Sequence, residues 1–145
     1  MDVPPKRPQR IDPGSRYFPQ MPEEPRARRV LVVDDEALIR WSLTQTLEEQ
    51  GFEVQQAASA AEALGLVAGP GAPFDIVLLD FRLPDSNDLT LLARIRQLQP
   101  RSVVILMTAF STPEVAQGAL DLGAMKVVSK PFEMSDMAQL VTQAC

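Results

Sequence analysis

The chain changes character near residue 30, where proline-rich sequence gives way to apolar runs separated by helical repeats. Residues 30–33 form a short β-branched run stopped by two aspartates, a pattern typical of a strand buried on both faces. Apolar residues then recur at helical spacing at Ile39, Leu43 and Leu47. Gly51 follows as a residue suited to end a helix. The segment therefore predicts a strand followed by a helix.

The same strand-and-helix unit repeats along the rest of the chain. Further strands are predicted at residues 52–57, 75–80, 102–107 and 125–129. A capping-box pattern beginning at Ser59 and a proline in a first turn at Pro113 mark the starts of two helices. A fifth helix, predicted from the apolar spacing that begins at Met137, runs into the C-terminus. The third strand is the most apolar and is therefore predicted to be central.

Five strands alternating with five helices predict an α/β fold. Each right-handed crossover packs its helix against the sheet, so the sheet should be parallel with helices on both faces. We expect a flavodoxin-like, doubly wound, five-stranded sheet with the order 2-1-3-4-5. In that order the topological switch point lies between the first and third strands. Ligands bind in the crevice at the carboxyl ends of these two strands.

Composition separates an N-terminal extension from the predicted domain. Residues 1–29 hold seven of the thirteen prolines and carry seven Lys or Arg against four Asp or Glu. Such a segment buries too little apolar surface to offset its ordering entropy. We predict a flexible Pro/Arg-rich extension at residues 1–28 and one domain at residues 29–145. Residues 30–145 carry seven basic against fifteen acidic side chains, so this segment should not bind nucleic acid directly.

Two residue counts restrict the chemistry. The chain has no histidine, which excludes a Ser-His-Asp triad and every metal site that needs an imidazole ligand. Its one cysteine, Cys145, cannot form an intramolecular disulfide. A bound metal would need oxygen ligands, which favours magnesium, calcium or manganese. We see neither a signal peptide nor an apolar run of membrane-spanning length, and we expect a cytoplasmic protein without membrane contact.

Polar residues end four of the predicted strands, and the fold brings those ends together. They are Asp34, Asp35, Asp80, Thr108 and Lys130. Three carboxylates held close together repel one another, and a divalent cation such as Mg²⁺ relieves that repulsion. No serine or cysteine at a strand end has a base beside it, whereas a carboxylate can itself attack phosphorus. Asp80, at the end of the central strand, is the best-placed nucleophile. Lys130 and Thr108 could then bind phosphoryl oxygens.

Several of these residues, and some others, also have a purely structural interpretation. Asp34 or Asp35 alone is more often the N-cap of the following helix than a metal ligand, but together with Asp80 the pair favours the metal site. Thr108 and Ser111 could cap the next helix, and we prefer that interpretation for Ser111. Trp41 and the methionines at 107, 125, 134 and 137 are interpreted as packing residues. The arginines at 94, 96 and 101 are interpreted as a solvated helix face and turn.

Short motifs in a fixed order resemble the receiver domain of two-component response regulators. They are Leu31-Val32-Val33-Asp34-Asp35-Glu36, Asp80-Phe81-Arg82-Leu83-Pro84-Asp85, Met107-Thr108-Ala109, Gly123-Ala124 and Lys130-Pro131-Phe132. Ile39-Arg40-Trp41-Ser42-Leu43 is further similar to receivers of nitrogen-regulator-type transcriptional activators. Those proteins continue into an ATPase module and a DNA-binding domain, and the end at Cys145 favours a piece of a longer protein.

The resemblance implies a role for each residue. Asp80 would accept a phosphoryl group from a phosphohistidine on a sensor histidine kinase, so the chain would catalyse its own Mg²⁺-dependent phosphorylation and dephosphorylation without being a conventional enzyme. Asp35, Asp80 and the backbone carbonyl of Arg82 would bind Mg²⁺, with Asp34 acting mostly through water. Thr108 and Lys130 would hold the phosphoryl group, with a cis peptide after Lys130. The fourth helix, fifth strand and fifth helix would form the switching face and a homodimer contact.

Two departures from the family pattern leave alternatives open. Asp88 stands where the family usually has glycine, and Val127 stands at the family's aromatic switch position. Because of Val127, a protein-interaction module that is not phosphorylated remains an alternative, as does a stand-alone phosphorelay intermediate. A haloacid-dehalogenase-like phosphatase would need an aspartate two residues after Asp80, where this chain has Arg82.

Overall fold

A five-stranded sheet with helices on both faces forms the body of the chain. The computed structural model describes residues 27–71 and 73–145, so nearly all of the extension predicted at residues 1–28 lies outside the described residues. Strands and helices alternate strictly. In chain order they are β1 (Arg29–Val33), α1 (Ala37–Glu49), β2 (Glu53–Ala57), α2 (Ala60–Val67), β3 (Ile76–Asp80), α3 (Thr90–Leu98), β4 (Val103–Thr108), α4 (Pro113–Asp121), β5 (Lys126–Ser129) and α5 (Met134–Ala144).

The strand order is β2-β1-β3-β4-β5, and every neighbouring pair is parallel. The predicted flavodoxin-like α/β fold is therefore confirmed. All five residues of β3 are buried, as expected for the central strand of a sheet covered on both faces. The topological switch point lies between β1 and β3, so their carboxyl ends border the crevice in which such sheets bind ligands.

Alternating strand residues build two separate cores, one on each face of the sheet. Leu31 and Val33 face the core covered by α2, α3 and α4, whereas Val30 and Val32 face the core covered by α1 and α5. This division follows from the period of two in a strand. Because both faces are packed, the strand ends at the carboxyl edge are the places where polar side chains can gather.

Helix ends follow the chemistry that the sequence indicates. Gly51 and Gly123 have φ values of 93° and 102°, so they adopt the left-handed conformation that ends a helix at low cost. The Ser59 hydroxyl accepts a hydrogen bond from the backbone N–H of Glu62 at 3.2 Å. The Glu62 carboxylate accepts one from the N–H of Ala58. The predicted capping box at α2 is therefore present, with Ala58 as the reciprocal donor.

Packing predictions for two large side chains were wrong. Trp41 is 58% exposed, and Met125 is 42% exposed. Along α1, Trp41 lies two residues from both Ile39 and Leu43, which places it on the side of the helix away from the core. Met125 immediately precedes β5, the edge strand. The other methionines agree better with the prediction, since Met107 and Met137 are buried and Met134 is half-buried.

Two smaller predictions were also wrong. Thr112, not Ser111, caps α4, because the Thr112 hydroxyl accepts a hydrogen bond from the N–H of Val115. Arg96 is not simply a solvated side chain. Its guanidinium donates to the carbonyl of Ser102 at 2.6 Å and lies directly over Gly123, so it joins α3 to the start of β4 and to the end of α4. Across the described part of the chain, none of the helices is long and apolar enough to span a membrane.

Candidate functional site

The polar residues predicted at the strand ends do converge on the carboxyl edge of the sheet. Asp34 directly follows β1, Asp80 is the last residue of β3, and Thr108 is the last residue of β4. Lys130 directly follows β5, and its backbone N–H donates to the carbonyl of Thr108 at 2.8 Å. Parallel strand pairing thus places side chains that are distant in sequence around one crevice.

Three carboxylates form the acidic part of this crevice. Oxygen atoms of Asp34, Asp35 and Asp80 lie within 4.8 Å of one another. Asp34 and Asp80 are buried, whereas Asp35 is exposed. Their burial makes the repulsion between the carboxylates stronger than it would be in water. The arrangement therefore requires a positive charge nearby, either from a side chain or from a cation.

Lys130 supplies a positive charge to two buried acids. Its ammonium Nζ lies 2.7 Å from Asp34 Oδ2 and 3.2 Å from Asp80 Oδ2. The same Nζ lies 3.4 Å from Glu36 Oε1, although the Glu36 side chain is largely exposed. Lys130 therefore bridges the ends of β1 and β3 from its own position after β5. The peptide bond between Lys130 and Pro131 is cis, as the family resemblance implies.

The ionisation of the site reflects this crowding. Burial, followed by the neighbouring charge of Asp34, raises the pKa of Asp80 from its usual 3.8 to about 6, although Lys130 opposes the shift. Burial would lower the pKa of the Lys130 ammonium, but its contacts with Asp34 and Asp80 outweigh burial and raise that pKa. Asp80 is thus ionised at neutral pH but close to the range in which it takes up a proton.

Backbone donors hold the two buried carboxylates in place. The N–H of Glu36 donates to Asp34 Oδ1 at 2.9 Å, so this carboxylate closes the turn after β1. The N–H of Arg82 donates to Asp80 Oδ1 at 3.3 Å. Neither Asp34 nor Asp35 occupies the N-cap of α1, which belongs to Glu36. This excludes the helix-cap alternative for the two aspartates, which the presence of Asp80 already disfavoured.

Thr108 ends β4 at the same carboxyl edge of the sheet. Its side chain is buried, and its hydroxyl oxygen accepts a hydrogen bond from the N–H of Phe110 at 3.2 Å. It does not cap α4, since that position belongs to Thr112. The hydroxyl proton is not used in the bond with Phe110, so Thr108 can still donate to a ligand oxygen.

Sequence reasoning missed the roles of Arg40 and Glu36. The Arg40 guanidinium donates to the backbone carbonyl of Asp34 at 2.7 Å and to Gln56 Oε1 at 3.3 Å. Arg40 therefore ties the turn after β1 to β2. Glu36 adds a fourth acid next to Lys130. Both residues stand within the quoted motifs, but only the three-dimensional contacts reveal their partners.

A further missed contact joins two loops at the carboxyl edge of the sheet. The guanidinium carbon of Arg82 lies 5.7 Å from the centre of the Phe110 ring, within the range of a cation–π contact. The Phe110 side chain is 70% exposed. The contact therefore joins the loop that follows Asp80 to the loop that follows Thr108, in a place that water can reach.

The two departures from the family pattern have clear structural settings. The Asp88 carboxylate accepts a hydrogen bond from the N–H of Thr90, the first residue of α3, at 2.9 Å, and this bond lowers the pKa of Asp88. Leu89 is the N-cap of α3, but Asp88 satisfies the first N–H of that helix, which a glycine could not do. Val127 is half-buried and packs against the core on the α2, α3 and α4 face of the sheet.

Comparison with known proteins agrees with this geometry. The chain resembles the regulatory protein AtoC of Escherichia coli, with 38% identity over 116 residues, which are 80% of this chain and 25% of AtoC. It is 35% identical to the DNA-binding transcriptional regulator NtrC of Azospirillum brasilense over 81% of this chain and 24% of the relative. The chain thus spans about a quarter of these relatives, and they match the nitrogen-regulator-type similarity seen in its motifs.

Shorter relatives match over nearly their whole length. The sporulation initiation phosphotransferase F of Bacillus subtilis is 31% identical over 78% of this chain and 90% of the relative. The crystal structure of a CheY-like response regulator receiver domain protein from Methanospirillum hungatei superposes with a TM-score of 0.77 and 31% identity, covering 81% of this chain and 93% of that one. The family described as the response regulator receiver domain matches residues 30–142. The chain therefore belongs to the response regulator receiver family.

Proposed function

We propose that this chain is a Mg²⁺-dependent phosphoacceptor domain in which Asp80 receives a phosphoryl group from a sensor histidine kinase. The observation that carries the proposal is the cluster of Asp34, Asp35 and Asp80 with Lys130 bridging two of its acids. Family membership supports the phosphoacceptor role. The absence of histidine from the chain agrees with a donor histidine supplied by a partner.

The donor set fits a magnesium ion. Mg²⁺ prefers oxygen ligands in an octahedral shell and usually keeps several waters, so one or two carboxylates suffice. Asp35 and Asp80 would bind it together with the backbone carbonyl of Arg82, and Asp34 would contribute mostly through water. When bound, the cation would neutralise charge on the phosphoryl oxygens. It would also relieve the mutual repulsion of the three carboxylates, which Lys130 relieves only in part.

The phosphoryl transfer uses only residues of the crevice and the donor. An Asp80 carboxylate oxygen attacks phosphorus, the bond between phosphorus and the donor imidazole nitrogen breaks, and the electron pair returns to that nitrogen. The Lys130 ammonium and the Thr108 hydroxyl would stabilise charge on the phosphoryl oxygens. Hydrolysis of the resulting acyl phosphate by water would return Asp80 to its starting state, so the chain would catalyse both its own phosphorylation and its dephosphorylation.

The output is proposed from the relatives that match over this segment. AtoC and NtrC are named as regulators, so transcription activation through further domains is the output we favour. The family also suggests a homodimer through α4, β5 and α5, and the acidic segment would not bind nucleic acid itself. The sporulation phosphotransferase supports a second candidate, a phosphorelay intermediate, because it matches over 90% of its length.

Calorimetric titration with beryllofluoride, a phosphoryl mimic, separates the phosphoacceptor from a pure interaction module. We expect beryllofluoride to bind at one site per chain, and only when Mg²⁺ is present, because the cation and Lys130 must both neutralise its charge. A chain that signals by binding alone has no need of this site. Absence of a binding signal, with Mg²⁺ at millimolar concentration and the fold intact, would favour the interaction module.

Mg²⁺ affinity is expected to depend on pH with a midpoint near the pKa of Asp80, about 6. A carboxylate must be ionised to bind a cation, so protonation below this pH competes with the metal. The apparent dissociation constant should be nearly constant above pH 7 and should rise about tenfold per pH unit well below 6. Titrations at pH 5, 6, 7 and 8 measure this; a constant affinity across the series would exclude Asp80 as a ligand.

A further inference from the structure

One carboxylate outside the acidic crevice makes two hydrogen bonds to a distant helix. Asp85 lies in the loop between β3 and α3, and its two oxygens accept bonds from the first two residues of α2. Asp85 Oδ1 accepts from the N–H of Ala60 at 2.8 Å, and Oδ2 accepts from the N–H of Ala61 at 3.0 Å. The N-terminus of a helix also favours a negative charge at this position. These two bonds lower the pKa of Asp85, with the bond from Ala60 contributing most.

The remaining donors at this end of α2 already have local partners. The N–H of Glu62 donates to the Ser59 hydroxyl, and the N–H of Ala63 donates to the Ser59 carbonyl at 3.1 Å. Ser59 therefore caps the helix from within its own segment. Asp85 completes the cap from a loop 25 residues away in sequence. The first four N–H groups of an α-helix have no partner inside it, and Asp85 satisfies two of them, those of Ala60 and Ala61.

The same loop connects directly to the phosphoacceptor. The Asp80 carboxylate accepts a hydrogen bond from the N–H of Arg82. Leu83, which follows Arg82, is buried in the core. Leu83 and Ser86 exchange two backbone hydrogen bonds, of 2.8 Å and 3.2 Å, which close a tight turn. Asp85 lies inside this turn. The segment from Arg82 to Ser86 is thus held at three points: Asp80, the core under Leu83, and the N-terminus of α2.

We propose that Asp85 is a positioning residue for the metal site, which holds the Arg82 backbone in place by fixing its loop to the N-terminus of α2. The inference rests on the proposed Mg²⁺ function, because the carbonyl of Arg82 is one of the proposed ligands. Metal ligands depend on the residues that orient them, and loss of such a partner lowers affinity without removing a ligand. Asp85 itself does not contact the ion.

Linkage makes the connection reciprocal. If the bonds from Ala60 and Ala61 to Asp85 favour metal binding, then metal binding must favour those bonds by the same free energy. The amide protons of Ala60 and Ala61 should therefore exchange more slowly when Mg²⁺ is present. The buried amide of Gln99, at the far end of α3, bonds to the Ile95 carbonyl and reports any general stabilisation of the fold.

A pair of matched substitutions tests the proposal. Asp85→Ala and Ser59→Ala each remove side-chain caps from the same end of α2, but only Asp85 belongs to the loop of Arg82. We expect Asp85→Ala to weaken Mg²⁺ binding about tenfold by calorimetry, and Ser59→Ala to change it less than about twofold. Asp85→Asn keeps one acceptor oxygen and should fall between the wild type and Asp85→Ala.

Hydrogen exchange on the unmodified chain provides a test that does not depend on the variants folding. We expect Mg²⁺ to slow exchange at Ala60 and Ala61 by a larger factor than at Gln99. Equal slowing at all three amides, or equal Mg²⁺ affinities in Asp85→Ala and Ser59→Ala, would contradict the positioning role. Asp85 would then only satisfy N–H groups of α2. Failure of the wild type to bind Mg²⁺ would instead refute the proposed metal site, so the two outcomes are distinguishable.

Discussion

Asp80→Asn is expected to reduce phosphoryl uptake from acetyl phosphate to the background measured without the phosphoryl donor. The amide is not a competent nucleophile toward phosphorus, and no other side chain at the strand ends replaces it. The remaining acids, Asp34 and Asp35, are still present in this variant, so retained uptake would show that the phosphoryl group goes elsewhere. Incorporation of phosphate per chain, measured by intact-protein mass spectrometry, gives the result directly.

The stability of this variant distinguishes lost chemistry from lost folding. Asp80 has a pKa of about 6 in the fold against a usual 3.8, so the folded state binds more protons between these values. The ionised carboxylate therefore destabilises the fold above pH 6, and this cost disappears as pH falls toward 4. A neutral asparagine avoids it, so Asp80→Asn should unfold at the same temperature or higher at pH 7.5. Asp121→Asn, an exposed aspartate on α4, is a matched control that should retain full uptake.

Lys130→Met is expected to change the affinities for cation and phosphoryl mimic in opposite directions. The ammonium competes with a cation for Asp34 and Asp80, so its removal should tighten Mg²⁺ binding by about tenfold or more. The same ammonium attracts phosphoryl oxygens, so beryllofluoride should bind more weakly at saturating Mg²⁺. Calorimetry of each ligand measures both effects on one preparation.

The free energy of unfolding provides a third readout for Lys130→Met. Without Mg²⁺, removal of the Lys130 ammonium leaves buried carboxylate charge unpaired. This loss should lower the free energy of unfolding by about 3 kcal/mol in a denaturant titration. Added Mg²⁺ should recover part of this loss, because it binds the folded state. Lys126→Met, in the exposed β5 position four residues earlier, should alter none of these quantities. If both ligands bind Lys130→Met more weakly, the bridging role assigned to Lys130 is wrong.

Much of the site could be predicted because strand ends are visible in the sequence. A buried parallel strand is a short apolar run, and the first polar residue after it must lie at the carboxyl edge of the sheet. Asp34, Asp80, Thr108 and Lys130 can therefore be placed correctly from the sequence alone. The fold follows from the same runs, because four crossovers of one hand leave few strand orders.

Contacts between loops and helices could not be predicted in this way. Asp85 reaches α2, and Arg40 reaches the Asp34 carbonyl, through side-chain geometry that no periodicity records. Trp41 shows a related limit: its large apolar side chain suggested burial, but its angular position on α1 places it in solvent. Periodicity describes elements one at a time, whereas these residues depend on how two elements meet.

Chemical trapping shows directly whether Asp80 carries the phosphoryl group. Reduction of the phosphorylated chain with borohydride converts an aspartyl phosphate to homoserine, and peptide sequencing by mass spectrometry then locates the modified residue. We expect homoserine at position 80, and only in samples that received both Mg²⁺ and a phosphoryl donor. Homoserine at position 34 or 35, with Asp80 unmodified, would contradict it.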